Sequence, residues 1–164
     1  MNQLKPDRNN KVAIRNVIVL GTAQAFLGAQ MPMLFILGGL VGQQLAPNPC
    51  LSTLPVSMII IGSMLTAPFL SDFMHRKGRK KGFILGAASG ALGAGISSYA
   101  IFSSSFSLLV VGSLITGIYM SSYGFYRFAA TDTADESFRP KAISYVLAAG
   151  LISAMLGPQL VKIT

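Results

Sequence analysis

The stretch NVIVLGTAQAFLGAQMPMLFILGGLV, residues 16–41, decides the fold class because it contains no charged side chain. A helix needs about 20 apolar residues to cross the hydrocarbon core of a bilayer, and this run exceeds that length. The basic segment 1–15 and the small residue Ala25 imitate the start and the cleavage site of a signal peptide. Because the apolar run continues well past Ala25, a membrane-spanning helix is the better interpretation.

Four more apolar runs follow, and they cover about residues 54–70, 82–102, 107–128 and 142–161. None of them alternates apolar and polar residues with a period of two, which argues against the strands of a membrane barrel. A chain of 164 residues is also too short to cover five such helices inside a soluble core. The sequence therefore predicts an all-α, polytopic membrane helix bundle with five transmembrane helices in a single membrane domain, residues 1–164.

The composition excludes several classes of function. Hydrophobic residues make up 52% of the chain and charged residues 11%, whereas soluble domains have roughly a quarter charged residues. One cysteine, Cys50, and one histidine, His75, provide no cluster that would bind a metal ion. No phosphate-binding or zinc-hydrolase motif is present, and no run contains paired acidic or histidine residues. We therefore expect no enzyme activity, no cofactor and no metal site.

The basic residues fall on one side of a five-helix arrangement. Twelve of the thirteen Lys and Arg residues lie before the first run, between the second and third, or near the junction of the fourth and fifth, and the loops 42–53 and 103–106 have none. The positive-inside rule then places residues 1–15, 71–81 and 129–141 in the cytoplasm. We expect a multi-pass protein of the inner (plasma) membrane, with the lipid bilayer and not nucleic acid as the partner of these cations.

The loop SDFMHRKGRKK, residues 71–81, resembles a motif of the major facilitator superfamily of secondary transporters. Gly78, Arg79 and Lys80 match the end of that motif and Arg76 its basic position, whereas His75 stands where the superfamily has Asp. The resemblance implies a cytoplasmic gating loop formed by His75, Arg76, Gly78, Arg79 and Lys80. The alternative is a basic cluster that only contacts anionic headgroups.

The fourth and fifth runs extend the resemblance. Arg139 stands where the superfamily often has an arginine before its fifth helix, and Gly150, Gly157 and Pro158 resemble the Gly-Pro motif of its antiporter-like members. Ser113 replaces an arginine found in many members, and the glycines that close the Gly-Pro motif are absent. The alternative interpretation is that the Gly-Pro pair only ends a helix.

The resemblance implies that the first, second, fourth and fifth helices line a solute path. Gln24 and Gln30 lie about 240° apart around the first helix, so both cannot point at one axis. Gln24, nearer mid-membrane, is the preferred solute-binding residue, with an interhelical hydrogen bond as its alternative role. Tyr119 is deep enough to bind solute, whereas Tyr126 is typical of an aromatic belt at the membrane interface.

Together these features predict secondary active transport of a small solute by alternating access, as part of a longer transporter with a C-terminal half not present here. The alternatives are a truncated product or a non-transporting accessory subunit that packs beside a larger complex. That subunit would use small residues spaced four apart: Gly86, Gly90, Ala94 and Ser98 in the third helix, Ser113, Gly117 and Ser121 in the fourth, and Gly150, Ala154 and Pro158 in the fifth.

Overall fold

The computed structural model describes residues 6–132 and 139–163, and within these ranges every regular element is a helix. The helices are α1 (Pro6–Leu45), α2 (Leu54–Lys77), α3 (Arg79–Phe102), α4 (Phe106–Gly124), the single turn α5 (Tyr126–Ala129) and α6 (Arg139–Ile163), with one 3₁₀ turn at Pro49–Leu51. The predicted all-α helix bundle is confirmed.

The helices have the length and the surface of membrane spans. In the described part of the chain, four stretches are long and apolar enough to cross a bilayer: Ile14–Leu45, Pro49–Lys77, Arg79–Phe102 and Phe106–Ala129. Large apolar side chains point outward, with Phe26 83% exposed and Phe102 90% exposed. Such a surface is unfavourable in water but is the expected one against lipid tails, which are themselves apolar.

The chain forms two compact units. One comprises the described residues up to Pro32 together with those from Gly124 onward, and the other runs without interruption from Met33 to Tyr123. Helix α1 belongs to both units, and Pro32 lies inside it at the division. Proline has no N–H to donate, so one hydrogen bond of the α1 ladder is missing at that point.

In the continuous unit, α2 and α4 approach so closely that their backbones touch at two glycines. A Cβ atom built on Gly117 would lie 2.5 Å from the carbonyl oxygen of Ile59 and 2.6 Å from the amide nitrogen of Ser63. Gly62 faces the carbonyl of Leu114 in the same way. Close packing of this kind, and not burial of apolar surface, drives helix association in lipid.

Helices α3 and α4 also pack through small residues. Gly86 lies against Ser122, Gly90 against the ring of Tyr119, and Gly93 against the carbonyl of Gly112. At the next turn of α3, it is the side chain of Ser97 that lies against Gly112, whereas Ser98 is exposed. A strict four-residue stripe drifts by about 40° at each step around a helix with 3.6 residues per turn. The contact therefore leaves the predicted stripe after Gly90.

The other unit brings the first half of α1 against α6. A Cβ built on Gly21 would lie 3.6 Å from the Cβ of Ala149, which is ordinary van der Waals contact. Ala142 and Val146 of α6 and Val17 of α1 are buried. The small residues Gly21 and Ala149 therefore let the two helices approach one another.

Candidate solute-binding site

Gln24 is the most buried polar side chain among residues 14–45 of α1. Only 5% of the residue is exposed, and its Oε1 is buried without a hydrogen-bond partner among the described residues. Since a buried unpaired polar group costs about 1–3 kcal/mol, such a group is usually retained for a reason. Gln30 is only half-buried. Among the described residues no group donates to this oxygen, so an interhelical hydrogen bond of Gln24 would have to be donated by its amide nitrogen.

Tyr119 lies in the contact between α3 and α4. It is 3% exposed, and a Cβ on Gly90 would lie 3.0–3.1 Å from its Cβ, Cγ and Cδ2 atoms. The Tyr119 side chain therefore packs against the surface that the glycine leaves open. Tyr126 is also buried, at the start of α5, and Tyr123 is half-buried.

A second buried polar atom without a hydrogen-bond partner in the described part of the chain is the Oγ of Ser121 in α4. Sequence reasoning placed Ser121 in a packing stripe and gave it no polar role. Nothing in the sequence distinguishes it from Ser122, one residue further on, which packs against Gly86. Whether a serine oxygen finds a partner is decided by tertiary contacts, which the local sequence does not contain.

The gating loop predicted from residues 71–81 is mostly helical. α2 continues to Lys77 and α3 begins at Arg79, so Gly78 alone makes the turn, with φ 89° and ψ 150°. This backbone region is essentially restricted to glycine. The turn is packed from inside by the buried side chain of Met74, which lies against Gly82. Glycine at the motif position is thus required by geometry.

Apart from the half-buried Arg79, the charged groups of this turn point outward. Arg76 Nε donates to the carboxylate of Asp72, one helical turn earlier, with an N–O distance of 2.9 Å. His75, Lys77, Lys80 and Lys81 are exposed. The carboxylate that pairs with the basic motif residue Arg76 is therefore Asp72, and both residues lie on α2.

The residues predicted around the fifth helix lie on α6. Arg139 is its first residue and is exposed, and the helix passes through Gly150 and on through Gly157 and Pro158 to Ile163. The surroundings of Gly157 and Pro158 lie outside what the structure describes. No kink or cap can therefore be assigned to the Gly-Pro pair.

Sequence reasoning missed a groove between α1 and α6. This groove has a volume of about 520 Å³ and is lined by Ile14, Val17, Ile18, Gly21, Thr22, Tyr145 and Ala149. None of these side chains is charged. The available sequence signal was weak: Ile14, Val17, Ile18 and Gly21 stand at helical spacing, as do Tyr145 and Ala149, but only the packing of α1 on α6 brings the two sets together.

Among the residues whose burial the structure describes, no Lys, Arg, His, Asp or Glu side chain is buried. In the described residues there is no group of three His, Cys, Asp or Glu side chains that would hold a metal ion. In the described part of the chain, the long uncharged helical stretches, the glycine contacts and the buried amide of Gln24 define a polytopic helical membrane protein with polar groups inside its helices, which is the class to which membrane transporters belong.

Comparison with known proteins identifies the family. Residues 41–125, more than half of the chain, match the sugar (and other) transporter family. The riboflavin transporter RfnT of Brucella anthropi is 43% identical over 149 residues, which are 91% of this chain and 37% of that protein. The uncharacterized MFS-type transporters YddS and YdeG of Bacillus subtilis are 31% and 30% identical over 96% of this chain.

The chain therefore belongs to the sugar (and other) transporter family, within the major facilitator superfamily, as its sequence resemblance implied. The match corresponds to the N-terminal part of these transporters, and the chain spans 36% to 37% of the length of the three relatives. The family and the relatives are transporters and not enzymes. No solved structure matches the chain.

Proposed function

We propose that the chain is the N-terminal part of a secondary transporter that moves a small uncharged solute across the plasma membrane by alternating access. Membership of the family and the names of the relatives support transport. The runs 16–45, 54–71, 82–102 and 106–126 contain no charged residue. A charged solute or a proton relay would normally require an ionisable partner inside the membrane, so an uncharged solute is favoured.

The observation that carries this proposal is the buried amide of Gln24. An unpaired Oε1 inside a membrane bundle offers a hydrogen-bond acceptor to a solute with an N–H or O–H donor. A binding site with a desolvated hydrogen-bond acceptor discriminates strongly against molecules that lack a donor, because the acceptor then stays unpaired. Tyr119 remains a second candidate contact, through its hydroxyl, because its ring is held in place by α3.

Riboflavin is the first solute to test, since a relative that is 43% identical to this chain is a riboflavin transporter. Expression of the native gene in a host that cannot make riboflavin is expected to restore growth at low external riboflavin. Uptake of radiolabelled riboflavin into those cells is the direct measurement, with the empty vector as control. If growth and uptake equal those of the vector, riboflavin is not the solute of this protein.

We also propose that the N-terminus and the segments 71–81 and 129–141 face the cytoplasm, because they contain most of the basic residues. Cys50 provides a natural probe, since it is the single cysteine and is exposed in the connection between α1 and α2. A membrane-impermeant maleimide is expected to label Cys50 in intact spheroplasts.

The matched control moves the thiol to the other side of the membrane. In a Cys50→Ser background, Lys77→Cys places it at the exposed end of α2. This variant is expected to react only after the membrane has been permeabilised. The reverse pattern, with Lys77→Cys labelled in intact spheroplasts and Cys50 protected, contradicts the proposed orientation.

The accessory-subunit alternative receives no support from the packing. It requires Gly86 and Gly90 to face a partner protein, whereas both glycines contact α4 of the same chain. The small size of these two glycines therefore allows α3 to pack against α4 within this chain.

A further inference from the structure

We propose that the exposed lysines where α2 meets α3, namely Lys77, Lys80 and Lys81, form a binding surface for the headgroup of an acidic phospholipid. These three residues are called the lysine cluster below. Its ligand is a lipid and not the transported solute, so the inference goes beyond the proposed transport function and does not depend on it. Gly78 and Met74 keep their part in the geometry of the turn.

The positive charge of this turn is only partly compensated within the described chain. Residues 71–81 contain five Arg and Lys residues and one acidic residue, Asp72. Asp72 forms its ion pair with Arg76, and the lysine cluster forms none with the described residues. The first turn of α3 has no acidic residue, and cations there add to the positive end of the helix dipole. The lysine cluster therefore presents a positive potential that an anion from outside the chain would neutralise.

The lysine cluster stands at the edge of an exposed apolar surface. Ile84 and Leu85 follow Lys80 and Lys81 by four residues, which places each pair on one face of α3 and about 6 Å apart along its axis. Ile84 is 59% exposed and Leu85 46% exposed. The charged surface of the turn therefore changes to apolar surface within a single helical turn.

This position favours a phospholipid over a soluble anion. The headgroup layer of a bilayer is about 5–7 Å thick on each side of the hydrocarbon core, which matches the spacing between the lysines and the apolar side chains beside them. Lysine can lay its carbon chain along apolar surface while its ammonium group reaches the headgroups. A free phosphate or an acidic peptide provides negative charge but no acyl chain to contact Ile84 and Leu85, whereas an acidic phospholipid provides both.

The test removes two charges from the lysine cluster and makes the same change elsewhere at the membrane boundary. The variant is Lys80→Gln/Lys81→Gln, and the matched control is Arg15→Gln/Lys141→Gln, whose two cations are also exposed. The probe is phosphatidylglycerol with a fluorescent acyl chain, titrated into the purified product of the native gene in mild detergent. One cation near an anionic lipid surface strengthens binding by about fivefold. The lysine variant is therefore expected to bind about tenfold or more weakly than the wild type, and the control less than about twofold more weakly.

Two further comparisons separate charge from shape and lipid from free phosphate. Lys80→Arg/Lys81→Arg keeps both charges and is expected to bind phosphatidylglycerol like the wild type. Phosphatidylcholine with the same label has no net charge, and it is expected to bind the wild type and the glutamine variant equally. An excess of soluble glycerol phosphate, which has the phosphate without acyl chains, is expected not to displace the labelled phosphatidylglycerol.

Three results would overturn the proposal. The first is equal affinity of the wild type and the glutamine variant for phosphatidylglycerol, and the second is an equal loss in the control pair, which would show that only total charge matters. The third is displacement of the labelled lipid by glycerol phosphate, which would make a soluble anion the ligand.

Single substitutions keep the test decisive if the double variant does not yield monodisperse protein. Lys80→Gln and Lys81→Gln are then each expected to weaken phosphatidylglycerol binding by about three- to fivefold, and unchanged affinity in both rejects the site. None of these measurements involves uptake of a solute. Failure of the lipid site and failure of the proposed transport function are therefore seen in separate experiments.

Discussion

Gly117→Leu is expected to prevent α2 and α4 from packing together and to abolish a stable bundle. The atoms nearest to a Cβ at this position all belong to the α2 backbone, including the Ile59 oxygen at 2.5 Å and the Ser63 nitrogen at 2.6 Å. Backbone atoms cannot change rotamer, so the two helices would have to separate. Overpacking of a core typically costs about 1–3 kcal/mol, and we expect Gly117→Leu to reach the upper end of that range or exceed it.

The measurement is the fraction of monodisperse protein on size exclusion in mild detergent, together with its melting temperature. Gly95→Leu in α3 is the matched control, because a Cβ at Gly95 meets nothing within 4 Å. This control is expected to behave like the wild type or to be slightly more stable, since leucine favours a helix more than glycine does. Equal stability of the two variants would show that α2 and α4 are not in contact at Gly117.

Gln24→Leu is expected to stabilise the protein while greatly reducing transport. Leucine has a similar volume and removes the buried Oε1 that lacks a partner, which relieves about 1 kcal/mol or more of desolvation. The same change removes the acceptor proposed to bind the solute, and loss of such a contact reduces kcat/KM by about tenfold or more. A rise in melting temperature together with a fall in uptake is the expected pair of results.

The two roles considered for Gln24 predict opposite changes in melting temperature for Gln24→Leu. If Gln24 is instead held by a structural hydrogen bond to another helix, Gln24→Leu lowers the melting temperature and affects uptake only through protein amount. Gln30→Leu, at the half-buried position on another side of α1, controls for the added apolar surface. This control is expected to change neither stability nor uptake appreciably.

The sequence was sufficient to predict the helices because the thickness of the bilayer sets how long an apolar run must be to cross it. Uncharged runs such as 82–102 locate α3, and the charge clusters beside them mark where it begins. Gly78 was recognisable as a glycine position of the motif, and the structure gives it a positive φ. These features depend on residues that are neighbours along the chain.

The partners of individual side chains were less predictable. A four-residue stripe correctly selected Gly86 and Gly90 as packing residues, but it did not show that Gly93 replaces Ala94 in the contact. Spacing also did not show that Gly117 faces α2 while Thr116, its neighbour, faces Gly93 of α3. The groove depends on α1 meeting α6, which are more than 90 residues apart in the sequence. Side-chain direction around a helix decides each of these cases, and it is fixed by the neighbouring helices.

The continuity of the unit from Met33 to Tyr123 has a consequence for the order of events during synthesis. All residues of its glycine contacts are present in the membrane as soon as α4 has been made. The unit that joins α1 to α6 has to wait for residues beyond Gly124. Contacts between segments close in sequence form faster than those that close long loops, and chains fold from the N-terminus while the ribosome is still at work. We therefore expect the α2–α3–α4 contacts to form during synthesis before α6 packs against the first part of α1.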